Sequence, residues 1–218
     1  MSNKPVYIAS ARRTPVGSLN GGLSTLPAHK LGAFVIGAAI RDAGIAPAEV
    51  EEVILGQVLT AGAGMNPARQ ASRAAGLPDQ SPAASVNQVC GSGLRAVALS
   101  SRAIVSGDAE IVVAGGQESM SQAPHVAFIR PGKKLGDLTM VDTVMNDGLS
   151  DAFYNYSMGV TAENIAKRYE LSREAQDVFA YNSHMRASAA ARAGRFDEEI
   201  VPVTVPTRQG DIVVTAGE

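Results

Sequence analysis

Strand and helix signals alternate through the first 115 residues, and that order leaves few folds open. A β-rich run at Pro5–Ser10 leads into a polar, glycine-rich loop from Arg12 to Ser24. Leu31, Phe34, Val35, Ala38 and Ala39 then recur at steps of three and four, which predicts a helix from about Pro27 to Asp42 closed by Gly44. Val53 to Leu59 reads as a buried strand, and Pro67 to Gly76 as a short helix with proline near its start and glycine at its close. A strand at Ala83–Asn87, a helix over Gly91–Ser106 and a strand at Ile111–Ala114 follow. Strands joined through helices at this spacing need crossover connections and lie parallel, so the fold class is α/β.

The pattern changes after Gly115. Gly116 to Ser157 has no clean period and is broken by Pro124, Pro131, Gly132, Gly136 and Gly148. A compact domain rarely carries a structureless loop of about forty residues, so this stretch is expected to pack as an irregular lobe or at a subunit contact. It carries a small positive cluster of Arg130, Lys133 and Lys134. Helices are expected at about Thr161–Tyr169 and Ser172–Ala193, with Glu174 in the first turn of the second and Gly194 as its stop. A β-rich run over Ile200–Val205, a turn at Gln209-Gly210 and a short strand at Ile212–Val214 complete the 218 residues.

Composition narrows the function classes. Hydrophobic residues make up 45% and charged residues 18% of the chain, which gives a folded protein rather than a disordered one. The net charge of −2 argues against a dedicated nucleic-acid binder, and with no Trp and 5% aromatics, base-stacking platforms are poorly supplied. No window approaches the ~18 apolar residues of a membrane-spanning helix, and the first ten residues lack the apolar stretch of a signal peptide. One cysteine excludes an internal disulfide, and with three scattered histidines it excludes a Cys₂His₂ or Cys₄ zinc site within the chain. An unpaired thiol fits a reducing compartment, so a cytoplasmic location is expected.

The densest chemical signal is Asn87-Gln88-Val89-Cys90-Gly91-Ser92-Gly93-Leu94-Arg95-Ala96-Val97. A strand runs into a helix there, with the sole thiol at the turn, and Gly91 and Gly93 remove bulk where a substrate would approach the sulfur. The mechanics are those of a nucleophile elbow. The plainer alternative is a structural cysteine, a common fate of a lone thiol. A helix N-terminus stabilises a charge by about 0.3–1 kcal/mol, which lowers a thiol pKa of ~8.5 by less than one unit. A nucleophilic Cys90 therefore needs a base. His29, His125 and His184 are available, and none sits in a setting that singles it out. A second signal, Ala114-Gly115-Gly116-Gln117-Glu118-Ser119-Met120-Ser121, is a strand end opening into a glycine-rich turn: either a site floor or simply a tight turn.

Taken together, NQVCGSGLRAV around Cys90, GGQESMS from Gly115, and Asp147-Gly148-Leu149 through MGVTAENIA resemble the signature segments of thiolases of the biosynthetic acetyl-CoA acetyltransferase type, as does the opening ASARRTPVGS. The resemblance runs along the whole chain in order. It implies a thiolase-like α-β-α-β-α layered fold, of which residues 1–120 would form the N-terminal α/β half and residues 121–218 the beginning of an inserted loop domain. It implies that Cys90 is the nucleophile, acetylated by acetyl-CoA or acetoacetyl-CoA, and that Leu149 and Met158 line the pantetheine and acyl end of the site. Ser157 stands where close family members carry His. No separate cofactor is implied, because coenzyme A arrives with the substrates.

Thiolases are nearly twice this long, and their later half carries a Gly-His-Pro histidine that activates the nucleophile and a Cys-x-Gly-Gly cysteine that serves as acid and base. Neither motif occurs among these 218 residues. The expectation is accordingly an N-terminal portion, inactive in turnover alone, with a homo-oligomer (the family's tetramer) or a second chain completing it. The alternatives are a non-catalytic thiolase-fold partner and, less well matched by GGQESMS, a β-ketoacyl synthase.

Overall fold

The computed structural model describes residues 5–218. Its centre is a parallel sheet of β1 (Glu52–Gly56), β2 (Ala83–Val86) and β3 (Val112–Gly116) in the order β2-β1-β3, with Val53 paired to both Ala83 and Val113. Three helices pack on it: α1 (Ala28–Ala43), α2 (Pro67–Ala74) and α3 (Ser92–Ser106). The α/β class is as expected.

Alternation along β1 assigns the layers. Val53 and Leu55 face one side and join Ile36 and Ile40 of α1, Ala68 and Ala71 of α2, Val50 and Leu77 in the main core. Gly56 faces the other side, where α3 begins directly over it. A smaller core joins Leu23 and Leu26 to Val203 and Val205 of the hairpin β6 (Val203–Thr207) and β7 (Gly210–Val214).

The helix ends follow their sequence signals. Gly44 closes α1 at φ +69°, Asn66 caps α2 by accepting the Arg69 N–H at 3.1 Å ahead of Pro67, and Ser172 Oγ accepts the Ala175 N–H at 3.1 Å to open α5 (Arg173–Arg192). The irregular stretch holds a two-residue ladder, β4 (His125–Val126) against β5 (Val141–Asp142), then a π-helical turn, Val144–Leu149, and the helix α4 (Met158–Arg168). Arg130, Lys133 and Lys134 lie in the exposed loop between β4 and β5.

The expected strand at Pro5–Ser10 does not form. Its residues run unpaired, with Tyr7 and Ile8 about four-fifths exposed (81% and 80%). A β-prone run becomes a strand only where a sheet edge accepts its backbone groups. Here the next pairing is Arg13, which bonds Glu199 O and Val201 N instead, while Ser10 and Arg12 bind Asp42 at the end of α1. Helix α4 also starts three residues earlier than its apolar spacing indicated, which makes Met158 its first residue.

The accessible surface is 14744 Å², against about 9,500 Å² for a compact monomer of 22.5 kDa. The excess has clear sources. Neither α4 nor α5 has a buried residue, and the outer face of α3 leaves Leu94, Val97 and Val105 open. No helix among the described residues is long and apolar enough to cross a membrane.

Candidate active site

Cys90 stands four residues beyond β2, on the carboxyl side of the sheet, where ligands gather in open α/β folds. It is exposed and unbridged among the described residues. The turn that presents it is tightly built. Asn87 Oδ1 accepts the Val89 N–H at 2.9 Å, and Gln88 O accepts the Gly91 N–H at 3.0 Å. Ser92 Oγ accepts the Gln88 N–H at 2.9 Å and donates to Val89 O at 2.6 Å.

Val89 has φ +49°. The left-handed region costs a residue with a β-carbon about 1–2 kcal/mol, and a β-branched side chain is the least suited to it. Of the other non-glycine residues at positive φ, Asn20, Asn66 and Asn155 are of a type that tolerates it and Glu170, at φ +53°, is unbranched at its β-carbon. The strain falls on the residue immediately before the thiol, as backbone strain often does at functional sites.

The elbow rests on glycine. A Cβ on Gly56 would lie 2.5 Å from the Ser92 carbonyl carbon and 2.6 Å from the Gly93 nitrogen, and one on Gly116 would lie 3.4 Å from Gly93 Cα. The start of α3 thus contacts the ends of β1 and β3 backbone to backbone. The Gly91 and Ser92 N–H groups are bonded to Gln88 O and Val89 O, so these two helix-opening donors are already occupied.

The GGQESMS turn is more than a turn. Gln117 is buried and donates to Gln57 Oε1 at 2.8 Å, and Gln57 in turn donates to Leu59 O at 2.9 Å. Glu118 accepts the Val58 and Leu59 N–H groups at 2.8 and 3.3 Å through one oxygen, while its other oxygen is buried without a hydrogen-bond partner among the described residues. Burial raises the Glu118 pKa, and the backbone donors of Val58, Leu59 and Ser119 hold it back in part. Because the folded value lies above the unfolded one, the fold binds this proton more tightly, and stability falls as pH rises through that interval. Glu118→Gln is therefore expected to raise the urea midpoint at pH 7.5 and to leave it near wild type at pH 4.

The three histidines lie on three different elements. His29 lies on α1, with its pKa lowered by partial burial and by Lys30; His125 is exposed on β4 and His184 on α5. None of them forms a hydrogen bond to Cys90 among the described residues.

Leu149, Ser157 and Met158 come together. An antiparallel bridge joins Ser150 to Ser157 and closes the turn 151–156, whose Asp151 carboxylate accepts the Phe153 N–H at 3.1 Å and the Tyr154 N–H at 2.5 Å. Leu149 ends the π-helical turn and Met158 opens α4 on either side of that bridge. Gly148 packs against Leu59, which ties the group to the same carboxyl side of β1. No hydrogen bond among the described residues joins these three to Cys90. No cluster of His, Cys, Asp and Glu among the described residues could hold a metal ion. Asn87, Val89 and Ser92 fall within the Cys90 segment that the sequence singles out, but it assigns them no bracing role and leaves Gly56 unmarked, although an Asn two residues before Val89 and a Ser three after it are the local signal of a side-chain-braced turn.

Fold and site together define an α/β protein that exposes a thiol on a strand-turn-helix elbow. Residues 6–218 match the thiolase N-terminal domain family, and the chain belongs to the thiolases. It is 57% identical over 218 residues to an acetyl-CoA acetyltransferase of Rhizobium meliloti, covering all of this chain and 56% of that protein. It is 58% identical over 218 residues to the enzyme of that name from Shinella zoogloeoides, covering all of this chain and 55% of that one. A cytosolic acetyl-CoA acetyltransferase of Rattus norvegicus is 56% identical over 206 residues, 94% of this chain and 52% of the relative. The chain spans about half the length of the curated relatives it matches.

Proposed function

We propose that this chain carries the nucleophile of an acetyl-CoA C-acetyltransferase. The observation that carries the reading is the exposed Cys90 on a strained, hydrogen-bonded elbow in a chain of this family. The Cys90 thiolate attacks the acetyl carbonyl carbon of acetyl-CoA, the C–S bond to coenzyme A breaks, and the departing CoA thiolate takes up a proton. An acetyl-Cys90 thioester remains. A second acetyl-CoA, deprotonated at its methyl carbon, attacks that carbonyl and the Cys90 thiolate leaves, giving acetoacetyl-CoA. Covalent catalysis divides one hard step into two easier ones. The Cys90 N–H forms part of an oxyanion hole.

Leu149 and Met158 line the pantetheine and acyl end, with Ser157 beside them. Residues 1–120 form the α/β half and residues 121–218 the start of the loop domain. No cofactor beyond substrate-borne coenzyme A takes part, and the chain works in the cytoplasm as part of a tetramer or beside a second chain. The histidine base and the second cysteine come from outside these 218 residues, so thiolysis of acetoacetyl-CoA by the 218-residue protein is expected to be negligible.

The first half-reaction is separable from turnover. Above pH 8.5 a free thiol ionises without a base. There, intact mass is expected to show one acetyl group on the folded chain, formed faster than on the urea-denatured chain and saturably in acetyl-CoA, with one coenzyme A released. Equal rates for the folded and denatured chains overturn the reading. They would favour a thiolase-fold partner without chemistry, a reading also supported by the lack of a histidine hydrogen bond to Cys90 among the described residues.

A further inference from the structure

We infer that Ser92 is a positioning residue for Cys90: its hydroxyl clamps the turn across residues 88 to 92, holds Val89 in the left-handed region, and thereby fixes where the sulfur points. The inference rests on Cys90 being the acyl acceptor and goes beyond it by naming what aims the thiol.

Ser92 is the first residue of α3, yet its hydroxyl does not cap the helix. The N-cap is Gly91, which has no side chain to offer, and the Ser92 side chain turns back along the chain instead. It receives the Gln88 N–H and gives its own proton to Val89 O, so its two bonds bracket Cys90 without touching it. Ser92 is 4% exposed, whereas Val89 is 48% exposed. Packing therefore does little to hold the Val89 side chain, and the strained backbone depends on the hydrogen bonds around it. Asn87 holds the Val89 N–H, Ser92 holds the Val89 carbonyl, and the Ser92 side chain fits only because Gly56 lacks one.

A clamp of this kind predicts coupling between two positions. Glycine adopts positive φ at no steric cost, so with Val89→Gly the elbow no longer opposes the conformation that Ser92 enforces. Four proteins are compared: wild type, Ser92→Ala, Val89→Gly and the double variant. Urea midpoints report the clamp itself. Acetylation of Cys90 by acetyl-CoA, read by intact mass, reports its consequence, and iodoacetamide reports general thiol reactivity in this single-cysteine chain.

Ser92→Ala is expected to slow acetylation by about tenfold or more, since small misplacement of a reacting group is costly, while alkylation by iodoacetamide changes by less than about threefold. In the Val89→Gly background the same change is expected to cost less than about threefold in acetylation and less in urea midpoint than it does beside Val89. Acetylation of Ser92→Ala at the wild-type rate overturns the inference. Equal losses in both backgrounds also overturn it, because Ser92 would then be acting through packing alone. Should wild type fail to outpace its denatured form in acetylation, the acyl-acceptor reading falls, and coupling in the urea midpoints alone then decides the clamp.

Discussion

Gly56→Ala is expected to destabilise the protein by about 3 kcal/mol, at the upper end of what overpacking costs, and to disable the thiol with it. The added methyl carbon would stand 2.5 Å from the carbonyl carbon of Ser92 and 2.6 Å from the Gly93 nitrogen. Both are backbone atoms, so no side-chain rotation relieves the clash. The choice left to the molecule is to lift the start of α3 from the sheet or to bend β1. Either moves the turn that bears Cys90. Urea unfolding followed by circular dichroism checks the first effect, and acetylation of Cys90 checks the second, with a fall of more than about tenfold expected. Gly37→Ala is the control: its methyl would meet only the Arg41 guanidinium, at 3.4 Å, and alanine in a helix interior is worth up to about 1 kcal/mol over glycine. A Gly56→Ala protein as stable as wild type would mean that α3 does not seat on β1 as described.

Cys90→Ala is expected to abolish acetylation completely and to leave the fold intact. No second thiol exists in the chain to take over the acyl group. The side chain is exposed, and its removal breaks none of the Asn87 and Ser92 hydrogen bonds that brace the elbow, so the change in stability is expected to stay below about 0.5 kcal/mol. A residual acetyl adduct on the variant would place the acceptor elsewhere, on a lysine or serine, and remove the basis for the proposed mechanism. Loss of the adduct together with unchanged urea midpoint separates chemistry from folding.

Much of this architecture can be read in the residues. The apolar steps from Leu31 to Ala39, the Pro67 and Gly44 boundaries, and the spacing of strands and helices from Val53 to Ala114 mark elements that form because local pattern and tertiary packing agree. The strand-turn-helix elbow around Cys90 is equally legible, because it is contiguous in sequence. Other features depend on partners distant in the chain. Val6 to Ala9 has strand composition and finds no edge, whereas Arg13 pairs with Ile200 across nearly the whole chain. The Ser150–Ser157 bridge that gathers Leu149 and Met158 arises inside a segment without a period, so only the family resemblance singles those residues out. Val89 at positive φ runs against its own propensity, so no local rule would predict it. Glu118 looked like part of a tight turn because burial of a carboxylate leaves no mark in sequence.

The glycine seat under α3 also bears on how this protein can change over time. Where a helix is located by interlocking side chains, every substitution in the core nudges it, and a catalytic group riding on it inherits that drift. Here the elbow touches the sheet through main-chain atoms at Gly56, Gly93 and Gly116, while the side-chain core of α1 and α2 lies on the opposite face of β1. Volume-conserving exchanges among the core residues of that face, such as Ile36, Ile40 and Leu77, are therefore expected to disturb the thiol less than a single methyl added at Gly56, the one seat residue whose Cβ would stand 2.5 Å from the main chain of α3.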